Sequence, residues 1–438
     1  MHRGSGSATG ILDGAMRRAH NPPATVPAGM PSLRFNPFDA AFVASPYEQY
    51  TLLRDDDPVH RSDLLQGWVL TRFDDVAVVL RDPAMSSDIR RATPNPIVQL
   101  ELDGLAEHPR ATQTIVHLDD PDHARIRRLL AAPFRVREVN RLTGLVTDRV
   151  STAIDRVRTS LNGGAGSIDL VSDLAYPLPV EIFSSWLGMP EEAGPQFRVW
   201  TSWVARSRDP MSSAEHEELF AALDAMHGYL ADAVEERRRA PTDDLLSYLV
   251  HVDDGGAPMS DDELMSQLIT LYMAGHEPTA GLVANGILAL LRHPDQLARL
   301  RSEPGLVPGA VHELLRYDGP NQFIRRVTTE PLQLGDIEIP AGEVLYVGLA
   351  SANRDPRRWG DDADAVVVDR ADAHEHVQFG SGAHACLGSH LARLQAAHML
   401  TSFLCRLDDL ELAGEPVWSN RMFIRGLASL PVRCSIRQ

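Results

Sequence analysis

Ten residues constrain this chain more than any others: Phe379-Gly380-Ser381-Gly382-Ala383-His384-Ala385-Cys386-Leu387-Gly388. Glycines at 380 and 382 let the backbone take positive φ, where a side chain would collide. The run that follows, Ser389 to Ala397, is rich in helix formers. Cys386 therefore sits just ahead of a helix N-terminus, where free N–H groups and the macrodipole favour negative charge. That environment lowers a thiol's pKa. A thiolate under a flat, Gly-lined loop suits a metal centre approached from one side, and Cys-ligated haem is the first candidate. Phe379 would pack along the macrocycle or beside the sulfur. Three other readings compete. A lone Cys is ordinarily a small buried hydrophobe. His374, His376 and His384 offer zinc a nitrogen set, although the glycines and Phe379 supply no ligands and only one Cys is local. A reactive nucleophile is the third.

Composition narrows the field. The net charge of −18 over 438 residues argues against nucleic acid as a partner. All 42 basic residues are arginine, which removes lysine Schiff-base chemistry and the P-loop lysine. Three cysteines, Cys386, Cys405 and Cys434, form no disulfide framework. Cys405, in a helix-like run, is expected in the core, and Cys434, in an alternating tail, in a strand. No run approaches the roughly 20 apolar residues of a membrane span. The start has no apolar signal-peptide core. Residues 1–37 are expected to be a disordered lead-in and 38–438 a single domain, cytoplasmic and monomeric.

Along the chain, Gly67 to Leu70 reads as a hairpin strand and Phe73 to Leu80 as a helix. Asp82 to Gln113 reads as a long, functional loop. Asp120 as N-cap with Pro121 at the first helical position opens a helix whose apolar stripe is Ile126, Leu129 and Leu130. His123 and Arg127, four apart, share another face. Helical patterns cover Arg137 to Leu161, Val171 to Trp186 and Ala214 to Arg239, with a flexible turn at Gly163 to Gly166. Trp200 and Trp203 read as core ahead of lid. Ser260 to Glu263 is a capping-box signature opening a long helix to His293. Near its middle lies Ala274-Gly275-His276-Glu277-Pro278-Thr279, where Gly275 and Pro278 predict a kink. Glu313 and Arg316 stand at i, i+3, and 327–347 and 410–436 alternate as short strands.

The cysteine loop resembles the haem-binding loop of the cytochromes P450, Phe-Gly-x-Gly-x-His-x-Cys-x-Gly, and fills every defined position. The resemblance runs from about Phe38 to the end. It implies a mainly α fold with small β-sheets, the cytochrome P450 fold, and haem b (iron protoporphyrin IX) with Cys386 as the iron's axial ligand. Phe379, Gly380 and Gly388 would shape the loop. His123, Arg127, Arg326 and His384 would hold the haem propionates, with Arg325 a neighbour of similar chemistry. Ala274 and Gly275 would form the distal wall, with Glu277 and Thr279 acting catalytically in oxygen activation. The family's usual Thr is replaced by Pro278, so water or Thr279 would complete the proton relay, with Glu277 linked to solvent. Glu313, Arg316 and Arg370 would brace the haem loop.

The resemblance further implies a haem-thiolate monooxygenase. It would use O2 and electrons from an external ferredoxin or flavodoxin, fed by an NAD(P)H-dependent reductase. Arg125, Arg128, Arg135, Arg137 and Arg393 would offer that carrier a basic landing patch. The substrate is expected to be a medium-sized organic molecule such as a natural-product intermediate. It would be faced by residues within 89–115, 200–206, 271–279 and 321–324, and by Phe423 and Ile424. The alternatives are oxidative coupling or cyclisation without oxygen insertion, and a non-catalytic haem or metal-binding protein.

Overall fold

The computed structural model describes residues 35–99, 102, 114–206, 212–253 and 255–437. Apart from its last three residues, the expected lead-in lies outside them, as does most of 100–113. The helices used below are α1 (Phe73–Arg81), α2 (Asp122–Ala131), α3 (Thr143–Ser160), α4 (Pro177–Leu187), α5 (Gly194–Ala205), α6 (Ser213–Arg239), α7 (Asp261–Arg292), α8 (Val307–Asp318) and α9 (Ser389–Arg406). The first turn of α2 is shifted by one residue from expectation. Pro121 is the N-cap, and the Asp120 carboxylate accepts from the Ala124 amide at 3.1 Å.

The strands are short. β1 (Val59–Ser62), β2 (Gly67–Leu70), β3 (Met85–Ser86), β5 (Phe323–Thr328) and β8 (Val344–Gly348) form one sheet, in the order β1-β2-β8-β5-β3. β2 runs parallel to β8 and the other pairs are antiparallel. β6 (Leu332–Leu334) and β7 (Ile337–Ile339) make a hairpin around Gly335. β4 (Ala165–Asp169), β9 (Leu407–Leu412) and β12 (Pro431–Ile436) form a third sheet. Two residues of the expected turn at 163–166 thus belong to a strand. β10 (Val417–Trp418) pairs with β11 (Leu427–Ser429). Cys434 is buried in β12 as expected. Cys405 is exposed, because it falls on the outer face of α9 where Phe403 and Leu404 take the core side.

α7 organises the packing. It opens with a reciprocal cap, in which the Ser260 amide donates to Glu263 at 2.8 Å and the Glu263 amide donates to the Ser260 hydroxyl at 3.2 Å. Its first half, Leu264 to Tyr272, packs with α4, α5 and α6. Its second half, Leu282 to Leu290, packs with α3, α8 and α9 in a separate core. Every side chain from Thr279 to Leu290 is buried, so apolar contact on all sides overrides the poor local propensity of Gly281 and Gly286. The helix assignment is unbroken through Pro278. The residue still deletes one rung of the ladder, since it has no N–H for the Ala274 carbonyl. The seam between the two cores lies at 271–279.

Below α7, Glu313 and Arg316 are fully buried in α8. Arg316 donates to both Glu313 oxygens at 2.7 and 2.8 Å and to the carbonyls of Asn353, Ala363 and Ala365 at 2.7–2.9 Å. Arg370 closes the triad on Glu313 at 3.2 Å.

Two predictions follow from these buried groups. Removing one partner of a buried ionic set leaves the others uncompensated, at about 3–5 kcal/mol. Glu313→Ala should lower the urea unfolding midpoint accordingly, and a midpoint equal to wild type would refute the bracing role. His276, on the face of α7 turned to the Tyr176 ring at 4.1 Å, is buried, and neither ring nitrogen has a well-aligned hydrogen-bond partner among the described residues. Burial pushes its pKa down from 6.5 to about 3. The unfolded chain therefore binds the extra proton between pH 6.5 and 3. Stability from this group is complete above pH 6.5 and drains as pH falls toward 3. His276→Phe should flatten that slope by one proton in urea titrations, and an unchanged slope counts against it.

Candidate active site

The cysteine loop has the shape its glycines allow. Gly380 and Gly382 take φ of 65° and 68°, and a Cβ at 382 would lie 2.7 Å from the Leu80 carbonyl in α1. The Cys386 amide donates to the Phe379 carbonyl at 2.8 Å, closing the loop, and α9 begins three residues later with Gly388 as N-cap. The Cys386 side chain opens into a cavity of about 950 Å³ at the seam of α7. Burial pushes the Cys386 thiol up, and the Gly388 amide, Arg127 and Arg393 only partly oppose it. A coordinated metal ion deprotonates a thiol outright.

His123, Arg127, Arg326 and His384 come together on the same cavity. The rings of His123 and His384 are 4.0 Å apart. Arg127 donates to the Ala385 carbonyl and Arg326 to the Arg325 carbonyl, each at 2.7 Å. Neither arginine has an ion-pair partner among the described residues, and the buried Nε2 of His123 has no hydrogen-bond partner there. Burial lowers the Arg326 pKa to about 10. Burial first, then Arg326, His123 and Arg127, push His384 to about 3. Crowded cations in an apolar wall are costly without a counter-charge. A planar group carrying carboxylates at one edge and an iron for the sulfur fits this donor set, and haem is such a group.

Zinc does not fit. Among the described residues no three His, Cys, Asp or Glu side chains converge as a cage. His376 packs against His312, with ring centroids at 5.5 Å, and His374 bonds back to the Ala371 carbonyl.

The opposite wall is α7. Ala274 is exposed to the cavity, and a Cβ on Gly275 would meet only Phe183 at 3.9 Å, so this stretch is flat and open. Glu277, Pro278 and Thr279 line the cavity and Thr279 is buried. Glu277 is 7% exposed and ion-paired with Arg421, which reaches it from the turn between β10 and β11. Arg421 was not legible as a site residue, since 144 positions separate the pair and no local pattern marks it.

Of the stretches expected to face substrate, Ile89, Val204, Leu271, Ile324, Phe423 and Ile424 line the cavity. Trp200 is core, packed on Phe197 and Tyr229, and Trp203 is half-buried beneath Arg206. Of the expected basic patch, Arg128, Arg135 and Arg137 are exposed, Arg125 pairs with Glu263, and Arg393 donates to His312 at 3.0 Å.

With this geometry in place, comparison with known proteins is direct. A family model described as Cytochrome P450 matches residues 75–422. The chain is 37% identical to the cytochrome P450 monooxygenase PikC of Streptomyces venezuelae over 93% of this chain and 95% of that one. It is 36% identical to a vitamin D(3) 25-hydroxylase of Pseudonocardia autotrophica over 90% and 95%. The solved structure of the bacillaene polyketide synthase cytochrome P450 PksS of Bacillus subtilis superposes with a TM-score of 0.82 at 31% identity, covering 92% of this chain and all of that one. The cysteine loop, the cationic rim, the fold and these relatives agree: the chain belongs to the cytochrome P450 family of monooxygenases.

Proposed function

We propose that residues 38–438 form one haem b domain that hydroxylates a medium-sized organic molecule, a natural-product intermediate, in the cytoplasm. The observation that carries this reading is one cavity holding the Cys386 sulfur, a rim with the guanidiniums of Arg127 and Arg326, and the flat wall of α7. Cys386 would bind the iron, and His123, Arg127, Arg326 and His384 would hold the propionates. Bound haem supplies dioxygen activation at a thiolate-ligated iron. Around it, Ala274 and Gly275 leave space over the ring face, and Glu277, held by Arg421, is the carboxylate placed to hold or pass a proton. Pro278 has no hydroxyl to share that task, which leaves Thr279 and water. Electrons would come from an external ferredoxin or flavodoxin and its NAD(P)H-dependent reductase, with Arg128, Arg135 and Arg137 in the landing surface.

A second reading, oxidative coupling or ring closure, draws support from Pro278. It is also consistent with a fold neighbour, CxnD, described as a cytochrome P450 for C–S bond formation in chuangxinmycin biosynthesis (TM-score 0.77, 31% identity).

The test has two parts. Reduced protein with carbon monoxide should show the red-shifted Soret band of thiolate ligation. Cys386→His should lose it, while Cys405→Ala and Cys434→Ser keep it. Retention in the Cys386 variant would refute the ligand assignment. Turnover under ¹⁸O₂ with a surrogate ferredoxin system should then place one labelled oxygen in product. Vitamin D(3), corticosterone and myristic acid serve as probes, because similar proteins act on or bind them. Products that lose two hydrogens without label would favour the second reading.

A further inference from the structure

Three basic side chains cluster at Phe379, the residue whose carbonyl closes the cysteine loop. The Arg393 guanidinium lies 6.0 Å from the centroid of the Phe379 ring, and His376 lies 5.5 Å from it. His312, on α8, lies 5.5 Å from His376. None of the three lines the cavity.

Their hydrogen bonds fix their charges. A guanidinium only donates, so Nε2 of His312, 3.0 Å from Arg393, accepts and carries no proton. That ring is neutral, and burial first, then Arg393, push its pKa down to about 4. His376 is neutral by the same reasoning, because its Nδ1 accepts from the Gln378 amide at 3.2 Å. Arg393 donates again, through Nε, to the Ser389 carbonyl one turn back in α9 at 3.1 Å. Both of its acceptors are uncharged, and no carboxylate pairs with it among the described residues. The guanidinium is therefore pinned at two points and keeps its whole charge. Burial lowers its pKa, and the Cys386 sulfur is the group that opposes this. Arg127 also acts on that sulfur. It donates to the Ala385 carbonyl and, on the reading above, meets a haem propionate that cancels its charge. Arg393 has no second anion to meet.

We propose that Arg393 is a positioning residue that raises the reduction potential of the haem iron through the Cys386 sulfur, and that His312 holds it in place without cancelling its charge. This rests on Cys386 being the iron's ligand. Reduction takes the iron from ferric to ferrous with one electron from the external carrier, and a fixed cation near the thiolate stabilises the added negative charge. A carboxylate at position 312 would bind the same guanidinium and neutralise it. The neutral acceptor thus helps to decide how readily the first electron arrives.

The experiment is dye-mediated potentiometry of haem-loaded protein, read from the haem spectrum, with the carbon monoxide complex as the check of ligation. Arg393→Gln should lower the ferrous-to-ferric ratio at a fixed potential on the order of 10-fold, which is about 59 mV for one electron. His312→Glu should lower it in the same direction with Arg393 still present. His312→Gln, an uncharged acceptor, should stay close to wild type. A merely structural hydrogen bond would make the two His312 variants alike, since both side chains accept. If Arg393→Gln does not load haem, the His312 pair decides. An unchanged ratio in Arg393→Gln, or equal ratios in the two His312 variants, would overturn the proposal while the red-shifted Soret band still supports the Cys386 ligand. Absence of that band from the wild type would overturn both.

Discussion

All five N–H groups of Arg316 find acceptors inside the protein, and the rest of the site hangs from that arrangement. A buried guanidinium is tolerable only when fully satisfied. Satisfying it forces α8, Asn353 and the 363–365 segment into fixed relative positions. The ties then pass one residue at a time toward the cysteine. The Asn353 side chain accepts from the Val377 amide at 2.9 Å. Gln378 exchanges hydrogen bonds with the Asn321 backbone at 3.0 Å in each direction. Phe379 accepts from the Cys386 amide. The loop that presents the sulfur is thus held by charge and backbone geometry rather than by an apolar core of its own.

That ladder explains what the sequence reveals and what it hides. Gly380, Gly382 and Cys386 are legible because one short loop imposes their spacing. Glu313 and Arg316 are legible because one helical turn does. The capping box at Ser260 is local in the same sense. Arg421 and Glu277, or Arg425 and Asp318, are pairs made by the fold between positions more than a hundred residues apart. Nothing in either neighbourhood announces the partner. Cys405 fails for a related reason. Its neighbours are apolar, but which face of α9 meets the core is decided by α3 and α8, not by the run itself.

Pro278 shows the same contest inside one helix. Local chemistry argues for a break, yet buried contacts from Thr279 to Leu290 keep the chain helical on both sides of it. What survives of the local effect is chemical. The Ala274 carbonyl lacks its ladder donor where Ala274 faces the cavity. A hydroxyl is also missing next to the only carboxylate of that turn. The helix continues while its cavity face becomes richer in acceptors and poorer in donors, and Arg421 supplies donors from another element.

Arginine is the sole basic residue type available to this chain, and the cavity makes the choice consequential. Burial draws the Arg326 pKa down to about 10, and it lowers Arg127 and Arg393 as well. Each still remains charged at neutral pH. The same burial acting on a lysine, ordinarily near 10.4, would bring it within reach of neutrality and weaken its hold on an anion. A lysine would also replace a planar fork with a single point of donors. Lacking lysine, the protein keeps its cations fully charged in apolar walls where an amine would lie closer to losing its proton. An acidic chain can then carry a locally positive cavity, built from guanidiniums on elements that meet only in the folded state.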